Sequence, residues 1–258
     1  MPIDATPACA APAVGAPHGA DSRARVQPVS RTIQNCRYRP RLLRLRTWLL
    51  AAACLLPALG PGALAADAPF REVLAEPELL GQLQRGGYVL YLRHGTTDNS
   101  RADGVPVDLA DCNTQRVLND EGRAVARQIG QAMRQARIPV GEIRHSPLCR
   151  TTETARLAFP DFKGPMAPER HLMYTANLTS EEKIPVIAAT RRLVSTPVTA
   201  GSNRLIVAHA PNMADLMGYF VKPEGTLVVL RPLGEGKFDY VASIHPTHWS
   251  RLLKREPR

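Results

Sequence analysis

Three stretches of the chain place arginine and histidine just after short apolar runs. Arg93-His94-Gly95-Thr96-Thr97 follows Tyr88-Val89-Leu90-Tyr91-Leu92, His209-Ala210-Pro211-Asn212 follows Arg204-Leu205-Ile206-Val207-Ala208, and His145-Ser146-Pro147-Leu148-Cys149-Arg150-Thr151 closes a short run from Ile143. Arginine presents a planar fork of donors matched to phosphate oxygens, and helix N-termini add backbone donors. A neutral imidazole is nucleophilic near pH 7 and can carry a phosphoryl group covalently, which splits one displacement into two easier steps. Two arginines and two histidines meeting at one sheet edge therefore point to a phosphate pocket, where charge stabilisation matters more than elaborate covalent chemistry. The histidines lack the close spacing of a zinc site, and no step of this kind needs a metal or another cofactor.

The elements that must hold these residues can be read from apolar periodicity. Phe70 to Gln84 is spaced as a helix, Gly86-Gly87 stops it, and Tyr88–Leu92 reads as a buried parallel strand. Asp98 to Asn113 is loop. Asn119 or Asp120 caps a helix running to about Arg137, and Ile143 starts a strand that ends where Ser146 as N-cap and Pro147 open a helix through Leu157. Phe159 to Asn177 reads as irregular, and Ser180 starts a helix to about Leu193. Arg204–Ala208 is a second central strand, and Pro211-Asn212 opens a helix to about Phe220. Thr226–Leu230 and Phe238–Ile244 form a hairpin around Pro232–Gly236. Strands alternating with helices imply an α/β fold, a three-layer α/β/α sandwich with a mainly parallel sheet and an antiparallel hairpin at one edge. Ligands of such sheets bind at the carboxyl ends of the strands, where the three motifs lie.

Residues 66–258 account for this one domain. Residues 1–36, rich in Ala, Pro and Arg without periodicity, are expected to be disordered or to precede the true translation start. Five arginines between Arg37 and Arg46, the apolar run Trp48–Leu59 and the small residues before Ala66 make residues 37–65 a secretory signal peptide, cleaved after Ala65. A membrane anchor is the rival, but the run is shorter than the ~20 apolar residues a bilayer needs and contains Pro57. A lipid anchor at Cys54 is a weaker rival, because Ala51 stands where a larger apolar residue is usual. The expected location is periplasmic or secreted, with no stable membrane span after processing. Whole, the chain carries 33 Lys and Arg against 23 Asp and Glu, net +10. Eight of those cations and two of those acids lie in residues 1–65, so the mature part carries only +4. No basic run or aromatic-interleaved stripe remains, which argues against nucleic acid as partner and for a small phosphorylated substrate or phosphate. Only Cys112 and Cys149 survive processing, and in an oxidising compartment they could pair.

The run Leu92-Arg93-His94-Gly95, the later Ser146-Pro147-x-x-Arg150-Thr151-x-x-Thr154-Ala155 and the distal His209 resemble, in order and spacing, the signature of the histidine phosphatase (phosphoglycerate-mutase-like) superfamily. Cys112-Asn113-Thr114-Gln115-Arg116-x-Leu118 followed by Glu121-Gly122-Arg123 looks like its small bacterial exported branch. The resemblance covers about Tyr88 to Ile244. It implies a phosphomonoester phosphatase in which His94 is the nucleophile, Arg93 and Arg150 clamp the phosphoryl oxygens, His209 donates to them and Thr97 adds a hydroxyl. Gly95 is expected to let the backbone approach the ligand. Relatives place the general acid either directly after the second histidine, where this chain has Ala210, or between the two main motifs, where Glu181 and Glu182 read as first-turn helix residues. Glu224, before an edge strand, is the candidate acid, with Asp98 and no acid at all as alternatives. The rival class is a catalytically inactive phosphate- or sugar-phosphate-binding sensory module. His145 and His171 are read as structural, with His145 altering the rim where relatives carry a small polar residue. His245 and His248 are read as surface. Gln115 and Arg116 are either capping and packing residues or substrate contacts outside the phosphate.

Overall fold

Val89, Leu90, Tyr91 and Leu92 are fully buried, and successive side chains enter two different apolar clusters, as a strand covered on both faces requires. The computed structural model describes residues 69–254; the expected leader, 1–36, and signal peptide, 37–65, lie outside the described residues. β1 (Val89–Arg93), β2 (Val140–His145), β3 (Met166–Pro168) and β4 (Asn203–Ala208) run parallel, and β5 (Leu227–Gly234) and β6 (Lys237–Ile244) form a hairpin whose first strand is antiparallel to β1. The order is β3-β2-β4-β1-β5-β6. This is the expected α/β/α sandwich with the hairpin at one edge.

One face is covered by α1 (Glu78–Arg85), α2 (Asp120–Gln135), α3 (Cys149–Ala158) and α6 (Trp249–Leu252), which pack on Leu90, Leu92, Leu205 and Val207. The other is covered by α4 (Ser180–Ser195) and α5 (Ala210–Met217), which meet Val89, Tyr91, Ile206 and Ala208. Each such fully buried aliphatic side chain contributes roughly 1.5–3 kcal/mol relative to exposure. Among the described residues no helix is long and apolar enough to cross a membrane.

Several boundaries differ from the sequence reading for identifiable reasons. The helix expected from Phe70 begins only at Glu78, because Pro77 disfavours helical backbone at Glu76. The preceding residues run beside β6 instead, where the Val73 carbonyl accepts from Ser243 N at 2.8 Å and Ala75 N donates to Ser243 O at 2.9 Å. His245 and His248, expected at the surface, fasten this segment: His245 Nε2 lies 2.9 Å from Glu72 Oε1 and His248 Nε2 donates to the Ala75 carbonyl at 2.8 Å. α3 starts at Cys149 rather than Pro147, with Leu148 at the N-cap. The Cys149 amide is capped from a distant loop by Gln115 Oε1 at 2.9 Å. The stretch 159–177 contains the short edge strand β3, bounded by Pro165 and Pro168, which suits an edge and hides it from periodicity. α5 ends at Met217 because Gly218 adopts φ 76°.

Cys112 and Cys149 form a disulfide with Cα atoms 5.7 Å apart across a sequence separation of 37. Closing a loop of that length removes about 4 kcal/mol of unfolded-state entropy in the chain-entropy model.

The N-terminal turn of α2 lies directly against the segment after β1. A Cβ on Gly122 would stand 2.0 Å from the Thr96 carbonyl oxygen, and one on Gly95 2.5 Å from the Gly122 carbonyl oxygen. Gly95 is thus required by contact with α2, which is a different reason from the ligand approach expected of it. Gly122→Ala is predicted to destabilise the protein by ~1–3 kcal/mol or more, since backbone and not a flexible side chain blocks the methyl group. Urea unfolding measures it, and a loss below ~0.5 kcal/mol, the range of ordinary surface changes, would contradict this packing.

Candidate active site

Parallel pairing brings the three motifs level. Arg93 is in register with Ala208, and His145 with Val207, so His94, Ser146 and His209 follow at one end of the sheet. Ladder bonds continue past the strands, His94 N donating to Ala208 O at 3.0 Å and Ser146 N to Val207 O at 2.9 Å. Because β5 is antiparallel to β1, its beginning lies at the same end, and Gly225 N donates to the His94 carbonyl at 3.0 Å. The structure therefore brings together His94, His209, Arg93, Arg150, Thr97 and Glu224.

His94 is 2 % exposed, and its Nδ1 lies 2.8 Å from the Gly95 carbonyl oxygen. A carbonyl only accepts, so Nδ1 carries the proton and Nε2 of the neutral ring keeps a lone pair. Burial first, and the Arg150 guanidinium second, hold His94 well below the ordinary imidazole range. The same two causes, joined by His94 itself, do so for His209, which is fully buried. The two rings stand edge to face at 5.3 Å. His209 Nε2 lies 2.9 Å from Ser146 Oγ, which also accepts from Leu148 N at 3.4 Å. The hydroxyl proton is free for Nε2, an arrangement that puts the ring proton on Nδ1 as a donor with no protein partner.

Arg150 is fully buried. Its Nη1 donates to Asp103 Oδ1 at 2.8 Å and to the Arg116 carbonyl at 3.3 Å, whereas Nε and Nη2 are buried without partners. Arg93 uses Nη1 on the Val221 carbonyl at 2.7 Å and Nη2 on Glu224 Oε1 at 3.1 Å, leaving Nε unpartnered. Arg116 Nε is likewise buried and unpartnered, and its charge reaches both histidines. Unmet guanidinium donors on three arginines around two neutral imidazoles form a site built for a polyoxygenated anion.

Thr97, expected to donate to substrate, has its Oγ1 3.4 Å from Glu224 Oε1, so it holds the carboxylate beside Arg93. Of the alternative acids, Asp98 is engaged by Ser100 through both hydroxyl and amide, contacts that keep its carboxyl below the usual carboxylate range and ionised. Glu182 completes the capping box of α4 with Thr179. Gln115 is fully buried as a cap of α3, the packing role read for it, while the Arg116 charge acts on both histidines. His145 is buried, with Nδ1 2.8 Å from the Ser146 carbonyl oxygen, and His171 pairs with Glu169.

Four further residues of the site receive no role in it from sequence, although Ser146 and Thr154 stand in the second motif. Ser146 looks like an N-cap but serves His209; Asp103 is one of four acids in a loop; Tyr174, in an irregular stretch, lies 5.4 Å from both the His209 ring and the Arg150 guanidinium. Thr154 Oγ1 accepts from Gly95 N at 3.1 Å and donates to the Arg150 carbonyl at 2.7 Å, tying the His94 segment to α3.

Residues 89–175 match the family model of the histidine phosphatase superfamily, branch 1. That span holds His94, Arg150 and the strands and helices between them, and stops before His209 and Glu224. No curated protein matches the sequence. Among solved structures, the chain is similar to the protein histidine phosphatase SixA complexed with tungstate (14 % identity, 62 % of this chain and 97 % of that one, TM-score 0.45). It is also similar to a mycobacterial glucosyl-3-phosphoglycerate phosphatase (17 %, 62 % and 96 %, TM-score 0.42) and to the alpha-ribazole phosphatase of Shigella flexneri (15 %, 60 % and 95 %, TM-score 0.40).

The depressed histidines couple acidity to stability. Because their folded-state proton affinity lies below that of the unfolded chain, their neutral form costs nothing above pH ~6.5, and stability is lost as pH falls below it, by up to ~1.4 kcal/mol per histidine per pH unit. Urea unfolding at pH 7.5 and 5.5 should show a larger loss in wild type than in His94→Gln or His209→Gln. Equal losses in all three proteins would contradict the burial of neutral rings.

Proposed function

We propose that the chain belongs to the histidine phosphatase superfamily and hydrolyses phosphomonoesters in two steps through a phosphohistidine on His94. The observation that carries this reading is the fixed tautomer of a buried His94 among unpartnered arginine donors. Nε2 attacks phosphorus while the ester oxygen departs, and Arg93, Arg116, Arg150 and His209 Nδ1 receive the charge on the non-bridging oxygens. Water then displaces His94 from the phosphoryl group and restores the neutral ring. Glu224, beside Arg93 and Thr97, is the candidate general acid: it enters the first step protonated, gives that proton to the leaving oxygen, and as the resulting carboxylate takes a proton from water in the second step. The family-model match supports this reading for the half of the site it covers.

We further infer an exported, periplasmic or secreted protein acting on small phosphorylated compounds. A disulfide between the two cysteines outside the expected leader supports an oxidising compartment.

Turnover of an aryl phosphate is expected to fall at least ~10³-fold in His94→Ala, as for loss of a nucleophile. Tight phosphate binding with no turnover by wild type would favour the inactive binding module instead. Glu224→Gln should lower kcat/KM, which reports the first step, by ~10²-fold or more with an alkyl phosphate and little with a nitrophenyl ester, which needs no protonation. The same loss with both substrates would remove Glu224 as the acid. The acid limb of kcat/KM, which reports the free enzyme, should lie below pH ~6.5 because His94 resists protonation; a limb at or above that value would contradict the proposed environment of the nucleophile.

A further inference from the structure

The segment 98–118 is folded by its own hydrogen bonds, such as Asp98 N to the Val117 carbonyl at 3.0 Å and Gly104 N to the Thr114 carbonyl at 2.7 Å, and its last residue, Leu118, is buried and bridges to Thr97. Val105 is 91 % exposed, and none of these residues joins either apolar cluster. Its ties to α3 converge on the first turn of that helix. Gln115 caps the Cys149 amide, Cys112 is bonded to Cys149, and Asp103 Oδ1 and the Arg116 carbonyl both accept from Arg150 Nη1. Asp103 also accepts from Arg116 N at 2.9 Å, so one carboxylate oxygen fixes two arginines of the pocket.

Among the described residues Arg150 has no other anionic partner. With Asp103 gone, a fully buried cation would keep only a carbonyl at 3.3 Å and the face of the Tyr174 ring, with no charge to balance it, and its guanidinium would leave the position in which Nε and Nη2 stand free. The carboxylate is held there by a loop, and the covalent tie of that loop to α3 sits on the residue immediately before Arg150. Cys112 is exposed, so the bond is open to reagents in solution.

We propose that Asp103 is a positioning residue for the phosphate clamp, and that the Cys112–Cys149 disulfide keeps it in place, so that Arg150 is set for a phosphoryl group only in the oxidised protein. The inference rests on the phosphate-site reading above. The switching step is thiol–disulfide exchange with a dithiol: a reagent thiolate attacks one sulfur, the S–S bond breaks, and the reagent's second thiol closes its own disulfide, leaving Cys112 and Cys149 as thiols.

The test is the affinity of the full chain for inorganic phosphate, by calorimetry, with folding followed by circular dichroism. Reduction with dithiothreitol and Asp103→Ala should each weaken binding by roughly ten- to a hundred-fold, as loss of a charge-assisted contact implies. Asp103→Asn should recover part of this, because its oxygen still accepts from Nη1. On an Arg150→Ala background Asp103→Ala and reduction should each weaken binding far less than they do with Arg150 present, leaving only what Asp103 contributes through Arg116, a result that a merely structural role would not produce. Unchanged affinity in the folded reduced protein would overturn the redox half, as would unfolding on reduction, and oxidised Asp103→Ala and Asp103→Asn then decide the positioning role. An undiminished effect of Asp103→Ala without Arg150 would overturn that role. Failure of oxidised wild type to bind phosphate at all, seen before any variant is made, would instead overturn the phosphate-site reading, and this proposal with it.

Discussion

The hydrogen bond from His94 Nδ1 to the Gly95 carbonyl is the constraint on which the site depends. It binds the ring to its own backbone, decides which nitrogen holds the proton and leaves the other with its lone pair. It could not do so if the ring were charged, since an imidazolium would present two protons and no nucleophile. Burial and the adjacent guanidinium of Arg150 keep the ring neutral, so the positive groups that would receive a phosphoryl anion also keep its acceptor reactive. The close contact of Gly95 with Gly122 fixes the same backbone from the side of α2.

Gathering three arginines at one sheet end creates a problem of charge, and the structure meets it with two carboxylates at the periphery. Glu224 takes one end of Arg93, and Asp103 takes one end of Arg150. In each case the pairing leaves at least one buried donor of the guanidinium unused. Ion pairs of this kind are poor evidence for stability, but they orient a planar cation well. Both acids come from connections rather than from the sheet, which makes the rigid strands responsible for the histidines and the loops responsible for the direction of the arginines.

How much of this was legible in the sequence follows from where each interaction is encoded. β1 and β4 could be read because four or five consecutive apolar residues followed by a polar motif have one simple meaning, and the motifs after β1, β2 and β4 pointed to His94, Arg93, Arg150 and His209, which the fold brings to one end of the sheet. What escaped is tertiary in origin. The Gln115 cap makes α3 begin two residues later than Ser146-Pro147 suggests, and it releases Ser146 to meet His209. Pro77 cancels a helical pattern that apolar spacing alone supports. Asp103 cannot be told from Asp108 or Asp111 by composition, and only the closed loop shows which acid reaches Arg150. Thr97 was assigned by its place in a motif, and that its hydroxyl meets Glu224, 127 residues later, no local pattern shows.

The central claim is that His94 Nε2 bonds covalently to phosphorus. Intact mass of the protein, quenched in alkali within milliseconds of mixing with a good phosphate donor, addresses it directly. The account predicts one added phosphoryl group in wild type that survives alkali, is lost in acid and is absent from His94→Ala. Rapid turnover of the donor with no such adduct in wild type, or with the same adduct in His94→Ala, would contradict it.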